Sequence, residues 1–153
     1  TAEDWRASRA LRLRALAEAP DAFCSTLERE QAFDDQVWRD RLERAFTFFA
    51  VEGETLVGTA TGIPDPHEEG GREVVAMWVA PESRRQGVAT ALIRRLVDWA
   101  REEGASGIAL WVAESNDRAR LVYERCGFVL TGQRDTMRPG LDELRMRLPL
   151  PAN

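Results

Sequence analysis

The stretch REVVAMWVAPESRRQGVATALIRRLVDWAREEGASGIALWV, residues 72–112, decides the fold. Its first eight residues, REVVAMWV (72–79), are rich in β-branched and aromatic side chains and read as a strand. From Gly87 to about Glu103 the period changes. Val88, Leu92, Leu96 and Ala100 recur every four residues, and Ala89, Ile93 and Val97 widen the stripe into the apolar face of a helix. Gly104 stops that helix. GIALWV (107–112) is nearly all apolar, as expected of a strand buried on both faces. Strand, helix and buried strand in this order make a right-handed β-α-β unit with parallel strands.

Between strand and helix lies PESRRQGVATAL (81–92). The first turn of a helix exposes N–H groups without intrahelical acceptors, and its dipole favours negative charge, so such a turn is a ready anion site. Gly87 lets a ligand approach the backbone, and Arg84 and Arg85 add positive charge. The same residues also fit a plain connection carrying a solvated arginine pair. The turn is not a Walker A loop, which needs Gly-Lys-Ser/Thr, and Gly87 stands alone where a dinucleotide fingerprint needs G-x-G-x-x-G.

Outward from this unit, Leu11, Leu13, Leu16 and Ala17, with Trp5 and Ala10 ahead of them, form an apolar helix face that Pro20 ends. A second helix is expected from about Asp35 to Arg44, with Asp34 near its start and Val37, Trp38, Leu42 and Ala45 on one side. FTFFAV (46–51) and TLVGTATGI (55–63), turned by Glu52-Gly53-Glu54, read as a β-hairpin, followed by the polar loop PDPHEEGG (64–71). Beyond residue 112, a helix from Asp117 to Arg125 ends at Gly127, and FVLTGQRD (128–135) and DELRMRLPL (142–150) are strands joined through Pro139-Gly140. The expected fold is one α/β (α+β) domain over residues 1–153, with a mixed, mostly antiparallel sheet around a central parallel pair and about four flanking helices.

Bulk properties limit the function classes. A chain of 153 residues with net charge -5, its arginines interleaved with acids, argues against a nucleic-acid partner. No apolar run approaches the roughly 20 residues of a membrane span, and Thr1 to Arg6 begin no signal-peptide pattern, so no membrane partner and a cytoplasmic location are expected. Cys24 and Cys126 lie far apart without a Cys-x-x-Cys pair, which disfavours a disulfide framework and a zinc site. His67, the only histidine, sits among Asp65, Glu68 and Glu69 without a second His or Cys, so no metal is expected.

Arg84-x-x-Gly87-x-Ala89, after a strand ending in Val79-x-Pro81, resembles the Q/R-x-x-G-x-G/A signature of the GNAT N-acetyltransferases. LWVAESNDRARLVYERCGF (110–128) resembles that family's next block, with Asn116, Ala119, Tyr123 and Gly127-Phe128 at matching spacings. The likeness covers about residues 46 to 149, and the two N-terminal helices fit it loosely. It implies that the backbone of Arg84, Arg85, Gln86, Gly87, Val88, Ala89 and Thr90 holds the pyrophosphate of acetyl-CoA. It further implies that the pantetheine arm lies along Met77, Trp78 and Val79, that Asn116 contacts the cofactor, and that the parallel strands splay to admit it. Relatives usually begin with a strand before the first helix, which here is short or missing, and many of them dimerise, so a homodimer is allowed for. In this family Phe23, Phe33 and Trp38 would lie near the acceptor pocket.

Acyl transfer to an amine needs proton transfers. An alkylamine has a pKa of about 10, so a base or water chain must take its proton, and the departing thiolate needs one back. Tyr123, the only tyrosine, lies seven residues beyond Asn116, which brings both to within about 20° on one helical face. A core aromatic is the plain alternative; the resemblance implies the general acid. Glu73 opens the central strand, where alternation puts 73, 75, 77 and 79 on one face. It resembles the catalytic glutamate of the histone acetyltransferase branch, and a solvated strand-end glutamate is the other reading. Ribosomal-protein acetylases of the family use a glutamate on the next strand, where Trp111 stands here. The resulting expectation is an N-acetyltransferase moving acetyl from acetyl-CoA directly to a primary amine, on a small molecule or a peptide, in a ternary complex. Tyr123 would be the acid and Glu73 or a relayed water the base. The alternative is a noncatalytic acyl-CoA-binding regulatory module.

Overall fold

The computed structural model describes residues 4–20, 23 and 25–151. Helices α1 (Trp5–Glu18), α2 (Leu27–Gln31) and α3 (Asp35–Arg44) precede the hairpin β1 (Phe46–Glu52) and β2 (Thr55–Pro64). Strand β3 (Arg72–Val79) leads through a 3-10 turn at Pro81–Ser83 into α4 (Val88–Glu102) and then β4 (Gly107–Ala113). Helix α5 (Asp117–Arg125) and the hairpin β5 (Val129–Arg138) and β6 (Leu141–Pro149) follow. The six strands form one sheet in the order β1-β2-β3-β4-β6-β5. Only β3 and β4 pair in parallel.

The expected elements are present, with one addition. Helix α2 was not foreseen; Thr26 caps it by accepting a hydrogen bond from the Arg29 N–H at 3.2 Å, and its five residues are too few to show a period. Five α-helices therefore stand among the described residues where about four were expected. The first described element is α1, and Cys24 lies outside the described residues. Among the described residues no helix is long and apolar enough to cross a membrane.

The two faces of the sheet carry separate cores. Leu92, Ile93, Leu96, Val97 and Ala100 of α4 pack against Ile108, Leu110 and Val112 of β4, with Tyr123, Phe128 and Met146 completing that cluster. On the other face, Leu11, Ala15 and Leu16 of α1 pack with Phe23, Val57, Trp78 and Ala80. Burying each large aliphatic or aromatic side chain contributes about 1.5–3 kcal/mol, so the amphipathic stripes hold both helical layers to the sheet. The N-terminal helices are also clamped by charge. Glu30 is fully buried and accepts from Arg12 at 3.1 and 3.0 Å and from Arg41 at 2.7 Å. Burial pushes its carboxyl up, but the two guanidinium groups outweigh burial and hold it at about 2.

Gly62 of β2 explains how closely α4 approaches the sheet. A β-carbon there would lie 2.2 Å from Cζ3 of Trp99, a buried side chain. Gly62→Ala should therefore lower unfolding stability by about 1–3 kcal/mol in denaturant titration, the usual cost of overpacking. Unchanged stability would mean that Trp99 yields without loss.

Candidate active site

Strands β3 and β4 pair only through Arg72 and Ile108, Glu73 and Ala109, and Val74 and Leu110. Beyond them the strands part. The cause is a bulge in β3: Thr61 and Thr59 of β2 sit opposite Val75 and Trp78, so β3 has one residue more than its partner, and Ala76 has φ 55°. A bulge bends its strand and strengthens the local twist, which swings the rest of β3 away from β4. The gap is a cleft of about 150 Å³ walled by residues 74–77 of β3 and 110–113 of β4. The bulge also corrects the expected alternation. Glu73 and Val75 share a face with Trp78, because the register sets them opposite Ile63, Thr61 and Thr59, whereas Val79 packs with Val74 on the α4 side.

At the end of β3 the chain makes the turn into α4. Arg85 has φ 65° and Gly87, the N-cap, has φ 81° with no side-chain cap. Nothing lies within 4 Å of where a Gly87 β-carbon would be, so the space above the helix start is open and the glycine serves the backbone angle. The exposed N–H groups of the first turn of this 15-residue helix have no intrahelical acceptor. Arg84 does not point into that space. Its Nε donates to the Val79 carbonyl at 3.0 Å and its Nη2 to Glu18 at 2.8 Å, where the Trp78 indole also donates at 2.9 Å. These bonds hold the Glu18 carboxyl below the usual range, the hydrogen bond from Arg84 foremost. The Trp78 side chain belongs to the α1 core and is not among the residues that line the cleft, whereas Met77 is.

Helix α5 supplies one wall. Asn116 is its N-cap, with Oδ1 accepting from the Ala119 N–H at 3.2 Å, and one turn pair further on Tyr123 faces the same cleft. Tyr123 is 8% exposed and, among the described residues, its hydroxyl has no hydrogen-bond partner. Burial pushes that hydroxyl up to about 12. Burial also pushes the nearby Cys126 thiol up.

On the opposite face the cleft is walled by Phe23, Trp111, Met137 and Glu143. Arg138 donates to the carbonyls of Pro20 and Phe23 at 3.1 Å each, tying β5 to the segment after α1. Glu73 stands beside this space within a buried network. Its Oε1 accepts from the Trp111 indole at 3.1 Å and from Arg145 at 3.3 Å, and Arg145 also pairs with Asp65. Burial, then the Asp65 charge, pushes the Glu73 carboxyl up, against the pull of Arg145. Glu143 lines the cleft without an ion pair or hydrogen bond among the described residues, and burial, then Asp135 and Glu73, push its carboxyl up. His67 is exposed, its ring 5.8 Å from that of Trp111. Among the described residues no group of three His, Cys, Asp or Glu is placed to hold a metal ion.

The family model described as the Acetyltransferase (GNAT) family matches residues 12–128, most of the chain. The chain belongs to this family. The human N-acetyltransferase 8 is 35% identical over 95 residues, covering 60% of this chain and 42% of that relative. The chain spans about half the length of the curated relatives it matches. Two solved structures share the fold: a GNAT acetyltransferase from Streptococcus pneumoniae, with TM-score 0.83 at 16% identity over 99% of this chain and 96% of that one, and a Bacillus subtilis acetyltransferase in complex with CoA, with TM-score 0.63 at 21% identity over 76% and 84%.

Of the residues singled out in the sequence of this GNAT chain, Met77, Asn116 and Tyr123 line one cleft, while residues 84–90 form the open turn into α4 and are not among the residues that line it. Of the three N-terminal aromatics, Phe23 reaches the cleft, while Phe33 and Trp38 pack on each other at 6.0 Å. Glu143 and Met137 were not singled out. Their signal was the alternation along the last hairpin, which needs the strand register before it says which residues face the gap.

Among the described residues, Arg145 is the one side chain that forms ion pairs with both Glu73 and Asp65. Arg145→Met should cost about 3–5 kcal/mol of stability, the usual loss when one partner of a buried ion pair is removed. Without Arg145 the Glu73 carboxyl rises further. A carboxyl raised by folding contributes stability below its unfolded value of 4.5 and loses it as pH climbs through the folded value. The deficit should therefore be smallest near pH 4 and grow toward neutrality in denaturant titrations; a deficit independent of pH would dismiss the ion-pair account.

Proposed function

We propose that this chain is an acetyl-CoA-dependent N-acetyltransferase that moves the acetyl group directly to a primary amine, with both substrates held at once. The observation that carries this reading is the cleft itself. It passes between the two parallel strands, with α5 on one side and Phe23, Met137 and Glu143 on the other, so two substrates can meet in it from opposite faces.

The residues fit an acyl-CoA. The open space above Gly87, the unsatisfied N–H groups of the first turn of α4 and the left-handed Arg85 suit a diphosphate. The edge of β3 beyond Val74, unpaired toward β4, suits an extended arm that bonds to main chain at Met77 and Val79. The Asn116 side-chain amide, its oxygen used as a cap, has N–H donors left to offer. When bound, the cofactor supplies an acetyl group activated as a thioester. Tyr123 keeps its proton at neutral pH and can give it to the departing sulfur. Glu73 is the proposed sink for the proton of the amine, reached through water because its carboxylate is held by Trp111 and Arg145.

Thiol release from acetyl-CoA across a panel of primary amines tests the reading. Firm cofactor binding without release for any amine would favour a noncatalytic acyl-CoA-binding module. Tyr123→Phe should reduce kcat roughly 100-fold or more, the usual scale of general acid catalysis, and leave acetyl-CoA affinity unchanged. With the hydroxyl at about 12, turnover should show no alkaline decline from Tyr123 below about pH 10. Equal turnover of the Phe variant would remove Tyr123 as the acid.

A further inference from the structure

The last hairpin sets two carboxylates against each other. Glu143 of β6 lies directly opposite Asp135 of β5, a placement that destabilises an antiparallel pair. Glu73 adds a third negative charge nearby. The arginines around them are engaged elsewhere: Arg145, two residues along the same face, pairs with Glu73 and Asp65, and Arg134 pairs with Glu114 and Asp142. Glu143 is thus a half-buried carboxylate in a cleft wall, facing like charges, with no cation among the described residues. At the other side of the same cleft stands Tyr123, a side chain more than nine-tenths buried whose hydroxyl has no partner among the described residues. A space bounded by these two groups and the Asn116 amide, and otherwise by mostly apolar side chains, is a ligand site that lacks a cation.

We propose that Glu143 is the counter-ion for the acceptor, and that the acceptor class is an alkyl- or arylalkylammonium ion carrying no carboxylate beside its amine. The inference rests on the reading of the cleft as an acetyl-transfer site and narrows its second substrate. Phe23, Trp111 and Met137 offer apolar surface to the carbon skeleton, while the ammonium meets Glu143. A carboxylate on the adjacent carbon would be brought against Glu143 and Asp135, so free α-amino acids are rejected by charge. The upward push on the Glu143 carboxyl agrees with this, since an arriving cation relieves the repulsion that causes it.

Two probes with one skeleton separate the outcomes: 2-phenylethylammonium chloride and L-phenylalanine, titrated by calorimetry onto the whole chain with and without coenzyme A. The ammonium should bind at least roughly tenfold more tightly than the amino acid, the scale of one charge-assisted contact. Glu143→Gln should lose roughly tenfold for 2-phenylethylammonium and little for L-phenylalanine, while Glu124→Gln, on the exposed side of α5, changes neither. Because Glu143→Gln removes a repulsion, its thermal midpoint should not fall. Equal binding of the two probes, no binding of either, or undiminished ammonium binding in Glu143→Gln overturns the proposal. Acetyl transfer is scored separately: Glu143-dependent ammonium binding without transfer to any amine would sink the enzyme reading alone, and transfer with undiminished binding in Glu143→Gln would sink this one alone.

Discussion

One bulged residue governs the site. An ordinary residue in the left-handed region costs of order 1–3 kcal/mol, and Ala76 is held there by its surroundings. On one side of it Val75 keeps its register with β2; on the other, Trp78 is fixed by the α1 core and by Glu18, and the Ala80 N–H donates to the Val57 carbonyl at 2.7 Å. With both ends of the strand fixed, the extra residue has to bend it. That bend ends the parallel ladder after Val74, leaves strand edges without partners and opens the sheet to both faces.

Electrostatics then divides the opening. The turn side is furnished with backbone N–H groups and the free end of a helix dipole, while the guanidinium of Arg84 is spent on Glu18. The opposite face gathers Glu73, Glu143, Asp65 and Asp135 around one buried arginine. An overall charge of -5 thus conceals two environments of different sign preference on either side of one sheet. A polar group without a partner at low dielectric is costly; among the described residues the Tyr123 hydroxyl and the Glu143 carboxylate are the unpartnered groups that face the cleft, while the Ser83 hydroxyl and the Trp38 and Trp99 indoles are buried without partners elsewhere in the fold.

The elements were legible because each announces itself locally. The four-residue recurrence from Val88 to Ala100 produced α4, and the apolar GIALWV run produced β4, within a residue or two. Asn116 and Tyr123 were legible as a pair because a helix carries its own geometry. The bulge was not: alanine gives no sign of a positive φ, as glycine or asparagine would, and the faces of Met77 and Val79 were misjudged for that reason. Nor were the partners of the arginines. Arg145 meets Glu73 and Asp65 across 72 and 80 residues, and in a chain with 21 basic and 26 acidic side chains no local rule selects that pairing.

The contact of Arg138 with the carbonyls of Pro20 and Phe23 spans 118 and 115 residues of chain. It joins the two segments that supply Phe23 and Met137 to the cleft, and neither segment contributes to the turn at Arg85 and Gly87 or to α5. The two halves of the site are therefore separable pieces of architecture. A change of length or composition in either tied segment reshapes what enters from one face while the furniture of the other stays in place, so the molecule is a fixed socket with an exchangeable faceplate, and Arg138 is the fastening between its two parts.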